Sequence, residues 1–465
     1  MSTNDTQQYR QEHNLVITPE DVSDHYKPLS SFTYLEPSLQ DYCPDVINYL
    51  KAKNFPHPSP IQSQCWPILL TGRDAIGIAA TGSGKTLAFL IPALLLMAKE
   101  NRVGILNSSQ RGNSIPRPRM LILAPTRELA MQSHQVILEI GGVKGACIYG
   151  GVPKPAQKTE LRANGGVDVV VATPGRLEDL LEENALSLSE IRYLVLDEAD
   201  RMLDDGFEPA IRRIIAKCPS NSSTDGRPGR QTVMFSATWP EEIRALAETF
   251  LKPNAIRVTV GSEELSANHR VQQIVECIDA RNKDRRLMEL LANYHKSRKN
   301  RCLIFVLYKR EAASLQSTLN SRGYNVTAIH GDMNQNDRTA ALAEFKSGRI
   351  PLLIATDVAA RGLDIPQVEY VLNYSFPLTV EDYVHRIGRT GRGGATGISH
   401  TFFTDFDKGL AGALVGVLQD ANQPVPQEIY QYPLVTKKKQ SKLYGDFGPK
   451  TELAGKKATK ITFDD

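Results

Sequence analysis

An α/β chain of two tandem units, each a mostly parallel sheet flanked by helices, is the fold class that three observations predict. The first is length: 465 residues exceed what one ordinary core encloses, so two or three domains are expected. The second is a pair of series of short, nearly continuous hydrophobic runs, with helical patterns between the runs. The third is a polar break separating the two series. Runs that are apolar on both faces belong to parallel strands covered by helices on each side.

In chain order, residues 1–31 are polar and unpatterned and read as a disordered N-terminal arm. The first unit, 32–258, carries runs at 74–80, 119–126, 146–151, 168–174, 192–200 and 231–238. Residues 259–270 lack a core pattern and read as a linker. The second unit, 271–425, carries runs at 272–278, 301–306, 325–331, 350–356, 368–374 and 397–403, with helical patterns such as 310–321 and 336–346 between them. Segments 101–118 and 218–230 are turn-rich surface insertions. The remainder, 426–465, is a basic tail: from Lys437 onward it holds eight Lys and no Arg against four acids, a composition that reads as disordered.

Hydrophobic residues make up 41% and charged residues 23%, which excludes a wholly disordered or fibrous chain. Lys plus Arg number 55 against 52 for Asp plus Glu, so any nucleic-acid contact must come from local placement of charge. The six cysteines (43, 65, 147, 218, 277 and 302) fit neither a disulfide framework nor zinc spacing, which points to a reducing compartment. Met1 to His13 is too polar for a secretory segment, and the longest apolar stretch, Leu87 to Ala98, contains Pro92 and is too short to span a bilayer. A soluble intracellular protein without a membrane partner is the expectation.

The run at 74–80 leads into Ala80-Thr81-Gly82-Ser83-Gly84-Lys85-Thr86 and then a helical pattern. Glycines let the backbone curl so that several N–H groups face one anion, and the helix N-terminus behind adds its dipole. Lys85 is placed to reach the β- and γ-phosphates of a nucleotide, and the Thr86 hydroxyl to ligand Mg²⁺. Ala79 stands where the general pattern has glycine, so this is a variant form. About 110 residues on, a second strand ends in Asp197-Glu198-Ala199-Asp200. Three acids in four residues alone would be a solvated helix start. Behind a phosphate loop, Asp197 suits Mg²⁺ held through water, and Glu198 suits polarising an attacking water.

Together these motifs resemble the DEAD-box ATP-dependent RNA helicases, most closely the fungal nucleolar ribosome-biogenesis branch. Phe55 to Gln62 is similar to the family's Q motif, and Pro125 to Ala130 to motif Ia. Gly150-Gly151 and Thr173 to Arg176 resemble two further RNA-contacting elements, and Ser236-Ala237-Thr238 resembles motif III. Leu303 to Lys309, Gln335 with Arg338, Ala355 to Asp364, and His385 to Arg392 are similar to the motifs of the second half. The resemblance covers 32–425 and implies two RecA-like domains closing over ATP and RNA.

It also implies roles. Gln62 would read the adenine edge, since an amide both donates and accepts. Phe55 would wall the base, or equally serve an ordinary core; Phe32 is the candidate for an outer adenine contact, and Asn54 replaces a usual glycine. Arg389 and Arg392 resemble arginine fingers, three apart so that a helical segment would present both to one face. Asp364 would accept from the ribose hydroxyl, and His385 would order the polar network. Ser236 and Thr238 would couple domain closure to the acidic strand end. Thr126, Arg127, Gly151, Thr173, Gly175, Arg176, Arg338 and Thr356 would contact RNA through sugar and phosphate, independently of sequence. The implied partners are RNA and pre-ribosomal particles, the implied state a monomer, and the implied compartment the nucleus or nucleolus, with the cytoplasm as alternative. Messenger-RNA processing and an ATP-dependent RNA clamp are the alternative functions.

Overall fold

The structure is a computed structural model and describes residues 3–80, 82–99, 115–204, 206–221, 229–261, 270–360, 365, 367–391 and 396–434. Among these, the first unit contains strands β1 (Leu15–Thr18), β2 (Ala75–Ile78), β3 (Met120–Leu123), β4 (Gly145–Ile148), β5 (Val169–Ala172), β6 (Tyr193–Leu196), β7 (Gln231–Ser236) and β8 (Ile256–Val260). They form one sheet in the order β1-β8-β2-β7-β6-β3-β5-β4, parallel throughout except for β1 against β8. The second unit contains β9 (Val271–Cys277), β10 (Cys302–Val306), β11 (Val326–Ile329), β12 (Leu352–Thr356), β13 (Tyr370–Asn373) and β14 (Gly397–Phe403). Their order is β11-β12-β10-β13-β14-β9, all parallel.

The continuous apolar runs are explained by cover on both faces. In β3 every residue is buried: Met120 and Ile122 pack into one hydrophobic layer, Leu121 and Leu123 into the other. Each such side chain contributes about 1.5–3 kcal/mol on burial. The stretch at 87–98 is the expected buried helix, Lys85–Lys99, with Pro92 inside it. Among the described residues, no helix is long and apolar enough to cross a membrane.

The strand order positions the site. β2, β7 and β6 are neighbours, so the loops leaving their carboxyl ends (79–86, 237–240 and 197–200) meet at one edge of the sheet. The ends of β3 and β5 lie side by side farther along the same edge. Open α/β sheets bind ligands at this edge, where loops diverge and helix N-termini converge.

Three boundaries differ from the sequence reading. The arm expected at 1–31 carries regular structure within its described residues 3–31: Thr3–Glu12 is helical, and β1 pairs antiparallel with β8 while Leu15 and Ile17 enter the core. Three apolar residues in a four-residue strand carry too little local signal, and their pairing partner lies far along the chain. The first unit runs to Val260 rather than 258, because β8 needs its full length to pair with β1. The second unit continues past 425, since Ile429 is fully buried and the Tyr432 ring packs on Phe403 at 5.7 Å. The linker at 262–269, much of both insertions, and the Lys-rich tail from 435 lie outside the described residues.

Candidate active site

After β2 the chain turns through Gly82 (φ +79°) and Gly84 (φ +95°) before the helix that Lys85 opens. Lys85 is buried, and its Nζ donates to Ala79 O at 3.0 Å, so the ammonium is folded into its own loop. Ala79 N in turn donates to Ser236 O at 3.1 Å, which ties the phosphate loop to the end of β7. The Ser83 Oγ is buried without a hydrogen-bond partner. Ala80 is exposed and Thr86 half-buried at the loop's two ends. Thr81 lies outside the described residues.

Gln62 reaches this loop from the helix Pro60–Leu69. Its Oε1 accepts from Ser59 N at 3.0 Å as half of a capping box, and its Nε2 donates to Gly84 O at 3.0 Å. A Cβ on residue 84 would lie 2.5 Å from that Nε2, so the approach requires glycine as much as the positive φ does. Phe55 is 41% exposed, which removes the core role open in the sequence. Asn54 before it has φ +53°, the left-handed region that asparagine tolerates best after glycine. Phe32 packs on Trp66 at 5.9 Å between ring centroids.

At the end of β6, Asp197, Glu198 and Asp200 are all buried. Glu198 takes φ +50°, a strained conformation for a side chain of its size. Its N–H donates to Asp197 Oδ1 at 3.0 Å. Burial pushes the Asp197 carboxyl up to about 7, against the attraction of Lys85 and with the repulsion of Glu198 and Asp200. Burial pushes Asp200 the same way, but His385, Arg201 and Lys85 hold it well below the usual carboxylate range. His385 is itself lowered, by burial first and Arg201 second, and its Nε2 faces Asp200 Oδ2 at 3.7 Å. Asp200 Oδ2 also accepts from Ala237 N at 3.2 Å and Thr238 Oγ1 at 3.1 Å. Ser236 Oγ, by contrast, is buried with no partner.

Three buried carboxylates beside one lysine, with a glycine-turned loop and an unpartnered serine hydroxyl, suit a nucleotide polyphosphate accompanied by a cation. Among the described residues no three His, Cys, Asp or Glu side chains converge as a metal cage. Such a set could hold a cation through one or two protein oxygens and the cation's own waters.

The second unit supplies the opposite wall. His385 belongs to the helix Val380–Ile387, which ends before Arg389. Arg389 is therefore presented by a turn and not by the helix expected from its spacing; it is buried, with Nε donating to His385 O at 3.3 Å. Arg392 and Asp364 lie outside the described residues.

Along the ends of β3 and β5, Thr126 caps the helix Arg127–Ile140 by accepting from Leu129 N, and Thr173 holds the N-cap position of Pro174–Glu182 without a side-chain cap bond. A Cβ at Gly175 would meet open space, whereas one at Gly151 would lie 2.5 Å from Arg127 Nη1. Arg176 Nη1 donates to Val152 O and Gln157 Oε1, both at 2.9 Å, and so braces the Gly150-Gly151 turn. Arg127 Nη1 donates across the gap to Gln335 Oε1 at 2.6 Å, and Arg338 pairs with Glu128 at 3.1 Å. Arg338 Nη2 also donates to Ala359 O at 2.9 Å, near the buried Thr356 at the end of β12.

Residue-by-residue reading missed Arg201, Asp382, Glu128 and the role of Gln335 in bridging the units. Asp382 carries a local signal, but a misleading one: its N–H and carboxylate both bond Thr379 Oγ1, so it reads as a helix cap. Glu128 likewise reads as an acid in a first helical turn.

The sequence matches the family model for DEAD/DEAH box helicase over residues 59–246 and that for the helicase conserved C-terminal domain over 282–394. It is 52% identical over 445 residues to the DEAD-box ATP-dependent RNA helicase 5 of Oryza sativa subsp. japonica, covering 95% of this chain and 82% of the relative. It is 49% identical over 468 residues to the ATP-dependent RNA helicase DBP3 of Saccharomyces cerevisiae, covering 99% and 83%. Among solved structures, S. cerevisiae Dbp5 bound to RNA and ADP BeF3 is 29% identical, with 86% of this chain and 97% of that one covered at a TM-score of 0.68.

Proposed function

The chain belongs to the DEAD-box family of ATP-dependent RNA helicases, and on that premise we propose how its residues divide the work of hydrolysis and strand separation. Lys85 leaves Ala79 O for the β- and γ-phosphates, and the loop amides of 80–86 follow it. Gln62 turns its amide to the adenine, with Phe55 against the ring. Thr86 directly and Asp197 through water would hold Mg²⁺, which supplies charge neutralisation at the phosphates when bound. Glu198 orients the attacking water, while Arg389 and Arg392 neutralise charge growing on the γ-phosphoryl group. Asp364 accepts from the ribose.

RNA backbone crosses the ends of β3, β5 and β12. There Thr126, Arg127, Gly151, Thr173, Gly175, Thr356 and Arg338 offer hydroxyls, amides and guanidinium groups to sugar and phosphate. Arg176 holds the Gly151 turn in register and adds a third guanidinium charge to those of Arg127 and Arg338. Closure of the two units bends one strand; a short duplex cannot follow and loses its partner strand. Hydrolysis and phosphate release reopen the units. His385 and Thr238, both on Asp200, make the acidic strand end sense that closure.

The observation that carries this reading is Asp200, which takes bonds from Ala237 and Thr238 on its own unit and faces His385 of the other. One carboxylate thus links hydrolytic residues to the position of the second domain. The RNA-contact residues repeat the theme, since Arg127 and Arg338 each reach a residue of the opposite unit.

The process served is ribosomal RNA maturation on pre-ribosomal particles, in the nucleolus, with the protein acting as a monomer. The stretches at 72–86 and 234–251, which resemble the fungal ribosome-biogenesis branch, support this, as does 49% identity to yeast DBP3.

The deciding experiment is ATP turnover without nucleic acid, with RNA and with DNA, beside Lys85→Ala. Stimulation by RNA alone, lost in Lys85→Ala, is expected; equal stimulation by DNA would overturn the substrate reading. Depletion should accumulate ribosomal precursors, and normal precursor processing would remove the proposed pathway.

A further inference from the structure

The helix that carries Gln62 is damaged by its own sequence. Pro67 lies inside Pro60–Leu69 and has no N–H, so the carbonyl four residues earlier, on Ser63, has no donor within the helix. The N-terminal arm supplies one: Leu29 N donates to Ser63 O at 2.9 Å.

The arm's other contacts converge on the same two residues. Tyr9 Oη donates to Ser63 Oγ at 2.9 Å, and Arg10 Nε to Gln64 Oε1 at 3.1 Å. Arg10 Nη2 and Gln64 Nε2 both donate to Tyr26 O, at 2.8 and 2.7 Å. Ser63 and Gln64 are fully buried, so each of these polar groups depends on the arm for its partner. Three successive residues thus face opposite ways: Gln62 bonds the phosphate loop, and Ser63 and Gln64 bond the arm. The arm is anchored independently, by β1 on β8 and by Gly261 N donating to Asn14 O at 2.9 Å.

We propose that residues 9–29 form a latch that positions the first turn of the Gln62 helix for adenine, with Arg10 as a positioning residue for ATP. The inference rests on the reading of Gln62 as the adenine contact. The fold of the helix does not need the latch, because Ile61, Cys65 and Ile68 are fully buried in the core. What the latch sets is the angle of the turn before Pro67, and hence where the Gln62 amide stands relative to Gly84. Loosening it weakens binding of the base equally in ground and transition states, which raises KM and leaves kcat alone.

The test uses the full-length chain with saturating RNA and compares Arg10→Ala, Tyr9→Phe, Gln62→Ala and the Arg10→Ala/Gln62→Ala double variant. Arg10→Ala should raise the KM for ATP roughly tenfold and Tyr9→Phe by a smaller factor, with kcat held within about twofold. Arg10→Ala should add nothing to Gln62→Ala, because it acts through that residue. Thermal melting of each variant separates this split from general loosening, in which kcat and melting temperature fall together; that pattern would overturn the latch. So would an unchanged KM in Arg10→Ala, or an increase that persists undiminished on the Gln62→Ala background. If Gln62→Ala raises KM and Arg10→Ala is silent, the latch alone fails. If Gln62→Ala is itself silent, the adenine contact fails and the latch with it.

Discussion

Arg201 Nη1 donates to Asp382 Oδ1 at 2.5 Å from one unit to the other, with the two side chains 3% and 12% exposed. Arg201 directly follows the acidic strand end, and Asp382 is one turn before His385 on the same helix. The pair therefore fastens the acidic strand end of the first unit to the helix that leads to Arg389.

Breaking this pair should act on closure. Removing one partner of a buried pair costs about 3–5 kcal/mol, because the other charge is left short of its counterion. Asp382→Ala should keep most ATP binding, which the proposed phosphate-loop and Gln62 contacts of the first unit supply, and lose RNA-stimulated turnover by roughly 100-fold or more. Restoring an apolar fit with Arg201→Met and Asp382→Leu together should recover part of the loss. Turnover at the parental rate in Asp382→Ala would refute the coupling.

Closure should also weaken in mild acid. His385 is held below its ordinary 6.5 in the closed arrangement, where burial and Arg201 oppose its charging more than Asp200 and Glu198 favour it. A group with a depressed pKa binds its proton more readily in the state where it is exposed, so the open state gains as pH falls below 6.5. Its contribution to closure is complete above that value and is lost as pH descends through the lowered one, with at most one proton involved. Energy transfer between probes on the two units, with RNA and a non-hydrolysable nucleotide, should decline from pH 7.5 to 5.5. His385→Asn should flatten that decline, and an identical curve in the variant would exclude His385 as its source.

The two hydroxyls of Ser236-Ala237-Thr238 should separate on mutation. Thr238 Oγ1 bonds the ionised Asp200, so Thr238→Val deprives a buried carboxylate of a donor, at about 1–3 kcal/mol. Ser236 Oγ has no partner, so Ser236→Ala should stay within about 1 kcal/mol of the parent. Denaturant unfolding measures the first difference and duplex unwinding its functional consequence. Equal losses in both variants would contradict the assignment.

Glu198 sits in a conformation that costs a residue with a side chain roughly 1–2 kcal/mol. Glu198→Gly should remove that strain and the charge crowding Asp197, raising stability by about 1 kcal/mol while abolishing turnover. Glu198→Gln should retain ATP binding and slow single-turnover hydrolysis by at least about 100-fold. A melting temperature that drops in Glu198→Gly would mean the acid is held by contacts that outweigh its strain.

What the sequence could disclose was whatever a dozen neighbouring residues express together. Continuous apolar runs marked β2 to β7 and β9 to β14, most of them because burial on both faces leaves no polar alternation, whereas β8 (Ile256–Val260) was not among them. The glycine pattern before Lys85 marked a phosphate loop, since Gly82 and Gly84 take positive φ within one short turn. β1 escaped because its meaning lies in β8, more than two hundred residues away. Arg389 was misjudged locally: its spacing suits a helix, yet the helix stops at Ile387.

The sequence by itself determined the two α/β units, the phosphate loop, the acidic strand end and the chemistry they imply, because each is written in contiguous residues. Only the tertiary structure decided which of them meet. Strand order set β2 beside β7 and β7 beside β6, and so joined three loops that the chain keeps far apart. It paired Arg201 with a partner 181 residues away, and turned an unremarkable arm into the donor that Pro67 denies Ser63. Hydrogen bonds and ion pairs act over a few ångströms of space whatever the distance along the chain, so the partners they select are not local properties of the sequence.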